Sequence, residues 1–408
     1  MTTTNKHILD VFDPQTFLQE YWQKAPCVIK QFIPDFTDPI DEHDLAGLAQ
    51  EEEVDSRIVS FNEGEWQATQ GPFDDFEKVC AGKWTILVQG VDRYINEVSE
   101  LAEQVKFIPN WRFDDVMVSY SVTGAGVGAH TDEYDVFIVQ GKGSRRWQVG
   151  LPKDNYKHIS PHPLLKLIDG FESIIDYELQ TGDAIYIPPK HPHKGQTLSD
   201  CLNYSIGFRA PTNLELLQGV FDYGETLSEA QTRYSDPNLL ELRGQVNALK
   251  VSGAEVSNQE LTQLKNSMLA LLESAQAQQA ILSFLSRQAL PDNKLEYVLT
   301  CNEVSDLLVA GKPIYKAPGV KPIYASTCKN DTLHAQNAKC EANASGIFQF
   351  FIDGEVFEID ASLAETVKDI IAQDAILTCP NNLTPIQQTQ FFSLVTELVN
   401  AGYWYVEE

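Results

Sequence analysis

Between Asp115 and Pro211 the chain is written in short apolar runs, VMVSYSV (116–122), DVFIVQG (135–141), RRWQVG (145–150), AIYIPP (184–189) and LNYSIGF (202–208). Turn residues separate them, among them Gly124, Gly126, Gly128, Gly182 and Asp183. β-branched and aromatic runs of this length, bounded by turn signals, predict strands. No amphipathic helix lies between them, so the block predicts a barrel or jelly roll rather than a parallel sheet with crossover helices. Ahead of it, Phe17, Leu18 and Trp22 recur at helical spacing after Pro14, CVIKQFI (27–33) reads as a strand, and Glu51–Asp55 as a solvated turn.

After Pro211 the pattern turns helical. Asn213–Tyr223 is one helix candidate. Ser257 with Glu260 forms a capping-box signature ahead of Leu261, Leu264, Met268, Leu271 and Leu272, and Ala280–Leu285 continues the texture. That stripe fits a core face or a subunit contact equally. Residues 312–346, rich in Pro, Gly, Asn and Lys, read as loop. IFQFFI, Asp353-Gly354 and EVFEID then make a hairpin signal. Ser362 with Glu365 and Thr384-Pro385 signal two helix starts, and YWYV (403–406) a closing strand. Helices plus a hairpin suggest a winged-helix-like module. Its Gln387, Gln388, Gln390 and Glu397 supply no basic recognition helix, so a protein contact is expected there.

Charge narrows the partners. The 408 residues carry 30 Lys+Arg and 58 Asp+Glu, a net charge of −28. Residues up to 210 hold 18 basic and 33 acidic (−15), the rest 12 and 25 (−13), so the acidity is spread rather than appended. Such a surface repels phosphate backbones and leaves basic partners open. Seven scattered cysteines without a CxxC pair fit a reducing compartment. With no apolar leader and no run approaching the roughly 20 residues of a membrane span, a cytoplasmic protein is expected.

The candidate chemistry is His130-Thr131-Asp132 with a second histidine about sixty residues on. Two imidazoles and a carboxylate can hold Fe(II) on one face and leave coordination positions open. In a strand, positions i and i+2 point the same way, so His130 and Asp132 can converge. HxD alone is weak evidence, because eight histidines in so acidic a chain make a chance match expected. The setting strengthens it: TGAGVGAH leads into His130 and TGDAIYIPP into the second histidine. His191 and His193 compete for that role. Pro188-Pro189 end a strand, and His193 is the better placed to re-enter the next. His7, His43, His158, His162 and His334 read as surface or capping residues. Arg145 alone is as readily a surface arginine beside Arg146, and Asn203 a core amide.

Met117–Pro211 resembles the cupin-type JmjC family of Fe(II)- and 2-oxoglutarate-dependent oxygenases. The whole chain is similar to its bacterial ribosomal oxygenases, which hydroxylate an arginine of a large-subunit ribosomal protein. The similarity runs from FLQEYWQKAPCVIK through HTDEYDVFIVQGKGSRRWQVG, GDAIYIPPKHPHKG and NYSIGFRAP to LVNAGYWYVEE, and is weakest over 225–345. It implies an α+β chain: a double-stranded β-helix (1–211) with N-terminal α/β elements, a helical dimerisation region (212–300) and a winged-helix-like C-terminal domain (301–408). It implies His130, Asp132 and His193 as iron ligands, Arg145 for the distal 2-oxoglutarate carboxylate, and Ser119 and Asn203 beside it. Dioxygen is the oxidant, and 2-oxoglutarate is decarboxylated to succinate as a C–H bond is hydroxylated. A basic ribosomal protein is the expected substrate and a homodimer the expected assembly. A histidine of another ribosomal protein, a demethylation target and a non-enzymatic cupin remain the alternatives. Glu133 and Asp135, beside the triad, are the candidates to face a substrate guanidinium.

Overall fold

The structure, a computed structural model, describes residues 7–223, 232–235, 254–294, 297–325 and 346–407. Cys328, Cys340, His334 and residues 326–345 of the expected loop lie outside them. Two compact units emerge: 1–210 with 290–320 and 366–408, and 211–289 with 321–365.

The first unit is built on a nine-stranded sheet and a three-stranded sheet. The five expected strands are present as Phe113–Ser121, Asp135–Gln140, Ser144–Gly150, Ala184–Ile187 and Cys201–Phe208. Ser144–Gly150 lies in the smaller sheet between Ser173–Leu179 and His193–Ser199, and the other four lie in the larger. Alternation explains why Asp135–Gln140 is buried along its whole length. Phe137 and Val139 join a core with Phe17, Tyr186 and Phe208, whereas Val136 and Ile138 join one with Trp147, Val149 and Ile175. Ala184–Ile187 divides in the same way, Tyr186 to the first core and Ile185 to the second. The large sheet therefore separates an N-terminal layer from a barrel interior. At roughly 1.5–3 kcal/mol for each large apolar side chain, both faces contribute substantially to holding it.

Asp13 caps the helix Pro14–Glu20, which seats Phe17 edge-on to Tyr186, with ring centroids 4.8 Å apart. The expected strand 27–33 stops at Ile29. Gln31 takes a left-handed φ of 45° and its N–H donates to Asp183, so the chain turns where the apolar pattern alone continues. Ser56–Asn62, Glu65–Gln70 and Lys83–Val88 extend the large sheet beyond the expected strands. The same unit holds Cys301–Val309, Pro385–Asn400 and a small sheet in the order Ala375–Ile376, Ile314–Lys316, Trp404–Tyr405. The segment read as loop thus contains the strand 314–316.

In the second unit, Asn213–Asp222, Asn258–Leu272 and Ala275–Leu285 are helices, the middle one capped by the Ser257–Glu260 box. Ile347–Ile352 and Glu355–Asp360 pair around Asp353 (φ 45°) and Gly354 (φ 87°), a two-residue turn suited to strand twist. The Ser362 start is displaced: Asp360 accepts from the Ser362 N–H, a 3-10 turn covers Ala361–Leu363, and the α-helix runs Ala364–Ala372, its residues from Thr366 on belonging to the first unit.

Candidate active site

His130, Asp132 and His193 converge inside the first unit, their nearest ligand atoms all within 4.8 Å of one another. Asp132 Oδ2 lies 3.6 Å from His130 Nε2 and 3.4 Å from His193 Nε2. The backbone sets this meeting. Residues 130 and 193 pair through reciprocal N–H to carbonyl hydrogen bonds of 3.1 and 2.9 Å. Lys190, at φ 64°, donates its N–H to the Asp132 carbonyl and turns the chain into the strand that begins at His193.

Both imidazoles are oriented by carbonyls. His130 Nδ1 donates to Gly128 O (3.1 Å) and His193 Nδ1 to His191 O (3.0 Å). A carbonyl only accepts, so Nδ1 carries the hydrogen and Nε2 turns a lone pair toward Asp132. Burial, with the facing His193, brings His130 down to about 4, so it is an uncharged donor at neutral pH. Burial opposes ionisation of Asp132. The facing His193, then His130 and the Tyr134 hydroxyl, outweigh it, holding the carboxyl below the usual carboxylate range. His191 is also buried, but its Nδ1 meets Pro189 O and it stays outside the cluster.

The cluster opens on a cavity of about 100 Å3 that Ser119, Arg145 and Asn203 also line. Arg145 is 3 % exposed and has no carboxylate partner among the described residues. Its Nη1 donates to Asn203 Oδ1 (3.1 Å), its guanidinium lies 4.9 Å from the Trp147 ring centre, and its Nε has no partner. A buried cation so placed is costly until an anion joins it. Gly195 makes room, because a Cβ there would collide with Arg145 Nε. Arg146, on the opposite strand face, pairs with Asp176 at the surface. Asn203 also donates to Gln140, and Arg145 Nη1 donates to Ser121 Oγ at 3.5 Å.

A second pocket, of about 240 Å3, shares Met117, Tyr134, Val136 and Ser205 with the first. Asp55, Asp114 and Asp115 line it. Burial, then Asp92 and Asp114, push the Asp115 carboxyl up to about 7. Gly90 N–H donates to it, and the bare backbone of Gly207 leaves space above it. Neither of the two expected guanidinium partners lines this pocket. Asp135 is fully buried and committed to Arg112 (3.1 Å), Tyr186 and Gln23, while Glu133 projects to solvent near Lys190. Asp115, Tyr134 and Trp147 were missed. Each sits two or four residues from a named candidate on the same strand face or loop: Asp115 from Ser119, Tyr134 from Asp132, Trp147 from Arg145.

Residues 100–216 match the JmjC domain family. The ribosomal protein uL16 3-hydroxylase of Escherichia coli is 36% identical over 394 residues, covering 96% of this chain and 97% of that one. The chain belongs to the JmjC-domain ribosomal oxygenases. A probable ribosomal oxygenase of Haemophilus influenzae is 40% identical over 51% of this chain and 52% of its own length. The solved structure of YcfD, a ribosomal oxygenase from Escherichia coli, in complex with cobalt and 2-oxoglutarate superposes with a TM-score of 0.82 at 33% identity, covering 98% of this chain and 99% of that one. A YcfD complex with cobalt and succinic acid gives 0.81. The double-stranded β-helix and the α+β make-up are therefore those of a JmjC oxygenase, an enzyme family that uses Fe(II), 2-oxoglutarate and dioxygen.

Proposed function

We propose that this oxygenase hydroxylates an arginine side chain of a basic large-subunit ribosomal protein of the uL16 type. Two adjoining pockets carry the reading: one holds a three-ligand cluster and a buried arginine lacking an anion, the other is acidic, and they share walls. His130, Asp132 and His193 would hold Fe(II). Bound there, the metal supplies redox chemistry and open positions for 2-oxoglutarate and dioxygen. The remaining work falls to the chain. Arg145 pairs with the distal carboxylate of 2-oxoglutarate, kept in orientation by Asn203 and Trp147, with Ser119 beside it. Asp115 accepts the substrate guanidinium, which fixes the arginine methylenes near the cluster. Tyr134, its hydroxyl proton retained through burial, stands between the two pockets.

Support for the substrate class is the acidity of the Asp115 pocket and the activity of the Escherichia coli relative. The net charge of −28 favours encounter with a basic protein. Incubating the protein with Fe(II), 2-oxoglutarate and intact uL16 tests the proposal. Succinate with a +16 mass gain on one arginine is expected; a gain on histidine, or a −14 shift, contradicts it. Arg145→Lys replaces a planar fork by a point charge and is expected to raise the KM for 2-oxoglutarate about 30-fold, near 2 kcal/mol. Succinate assays at varied 2-oxoglutarate check it.

The division into 1–211, 212–300 and 301–408 is proposed as one of labour: oxygenase, dimer contact, and a winged-helix-like protein-binding part. For the dimer, the support is the exposure of Leu214, Leu217 and Phe221, and of Leu261, Leu264 and Met268. Light scattering at twice 45.7 kDa is expected, and a monomer mass refutes it. Among the described residues no helix is long and apolar enough to cross a membrane.

A further inference from the structure

A hollow of about 320 Å3 adjoins the metal cavity along two chain segments. Gly128 and Ala129 line the hollow where Val127 and His130 line the cavity, and Lys194 lines it where His193 lines the cavity. Its other walls are largely apolar: Trp66, Ile159, Leu167 and Phe171. The partition is thin because residue 128 is glycine. It takes φ +85°, and a Cβ there would sit 2.8 Å from Leu167 Cδ1.

The two sites have a shared task. A guanidinium pocket cannot select one arginine on a protein that displays many, because each offers the same group. Selection has to read what stands beside the target. A polypeptide that passes one side chain into the metal cavity spaces its neighbours at 3.8 Å per Cα step, so a residue one or two positions away is within reach of a hollow that shares the cavity's wall. Lys194 is exposed there, with no ion pair among the described residues, so a lysine or arginine neighbour is repelled.

We infer that this hollow is a specificity subsite for the apolar side chain of a residue one or two positions from the target arginine in the substrate polypeptide. The inference rests on the arginine reading above. An apolar side chain filling it gains contact with Ile159 and Phe171, and a pocket contact of that kind discriminates roughly 10- to 200-fold between side chains. Sliding the substrate by one residue puts the wrong side chain in the hollow and is penalised even when another arginine is available.

A peptide panel tests this. Each peptide keeps one target arginine and places Gly, Leu, Phe or Lys at one of the two positions on either side. At one of these positions Leu or Phe is expected to raise kcat/KM at least about tenfold over Gly, with Lys below Gly. In Ile159→Asp the same position should lose its preference for Leu and favour Lys. Ile159→Trp, which fills the hollow without charge, should lose the Leu preference only. The KM for 2-oxoglutarate, read on each variant, reports whether the barrel is intact. Arginine hydroxylation with a flat panel overturns the subsite and leaves the arginine reading standing, as does an unchanged preference in both variants. No hydroxylation of any arginine peptide removes the reading and the subsite together.

Discussion

Asp132→Ala is expected to reduce succinate formation on the order of a thousandfold and to abolish metal binding. The carboxylate is the anionic member of a set whose other two donors are neutral-capable imidazoles, and its Oδ2 sits 3.4–3.6 Å from both Nε2 atoms. Fe(II), or Co(II) as a redox-stable substitute, should raise the melting temperature of the parent protein, since a ligand that binds only the folded state adds RT ln(1 + [L]/Kd). The variant should show no such rise. In metal-free buffer the variant should still fold, because the barrel is held by its cores, but melt somewhat lower at neutral pH, since a carboxyl held below its usual range stabilises the folded state when ionised. Turnover within tenfold of the parent would contradict the assignment. A retained metal-induced rise would place the metal elsewhere.

Asp115→Asn should cost activity and gain stability. A neutral amide cannot pair with a guanidinium, so kcat/KM for an arginine substrate should fall about 100-fold or more, with the loss in the KM for that substrate. The pH profile should also change. Activity of the parent needs the Asp115 carboxylate and should climb as pH rises through about 7, whereas the variant lacks that climb. Stability runs the other way. The folded pKa lies above the unfolded one, so between about 4 and 7 the folded state binds more protons than the unfolded state and stability falls as pH rises. Above 7 the full cost is present, about 2–4 kcal/mol, from burial of the charge and the nearby Asp92 and Asp114. Denaturant titration should find the variant more stable by that amount at pH 8 and equal to the parent near pH 4. A variant that turns over arginine within fivefold of the parent, or that is less stable at pH 8, would contradict this account.

Residues that announce a turn or a periodic face were legible in the sequence. The five β runs appear with ends shifted by a few residues, and the hairpin turn Asp353-Gly354 and the Ser257–Glu260 cap are where their local chemistry puts them. His130, Asp132 and His193 meet because of pairing between residues 130 and 193, a contact across sixty residues that no local pattern encodes. The failures have a common cause. Asp135 and Glu133 lie next to the triad in the chain, but Asp135 opens a strand whose odd positions face the N-terminal layer, and Glu133, in the bend before that strand, is exposed near Lys190. Distance along the chain was a poor guide, and strand period a good one. From Ser119, two-residue steps lead back to Met117 and Asp115. From Asn203 they lead to Ser205 and Gly207, and register sets Asn203 against Ser119 and Ser205 against Met117. Those two faces make the polar rungs of the cavity. Strands 56–62, 65–70 and 83–88 were not legible, because their pairing with the barrel sheet is decided by partners rather than by their own composition.

The most direct test is tandem mass spectrometry of uL16 purified from cells that carry the gene and from cells in which it is deleted. A +16 increment on one arginine, present with the gene and absent without it, is the predicted result. Unmodified uL16 in both strains, or loss of a +16 increment from a different protein instead, would contradict the proposed function.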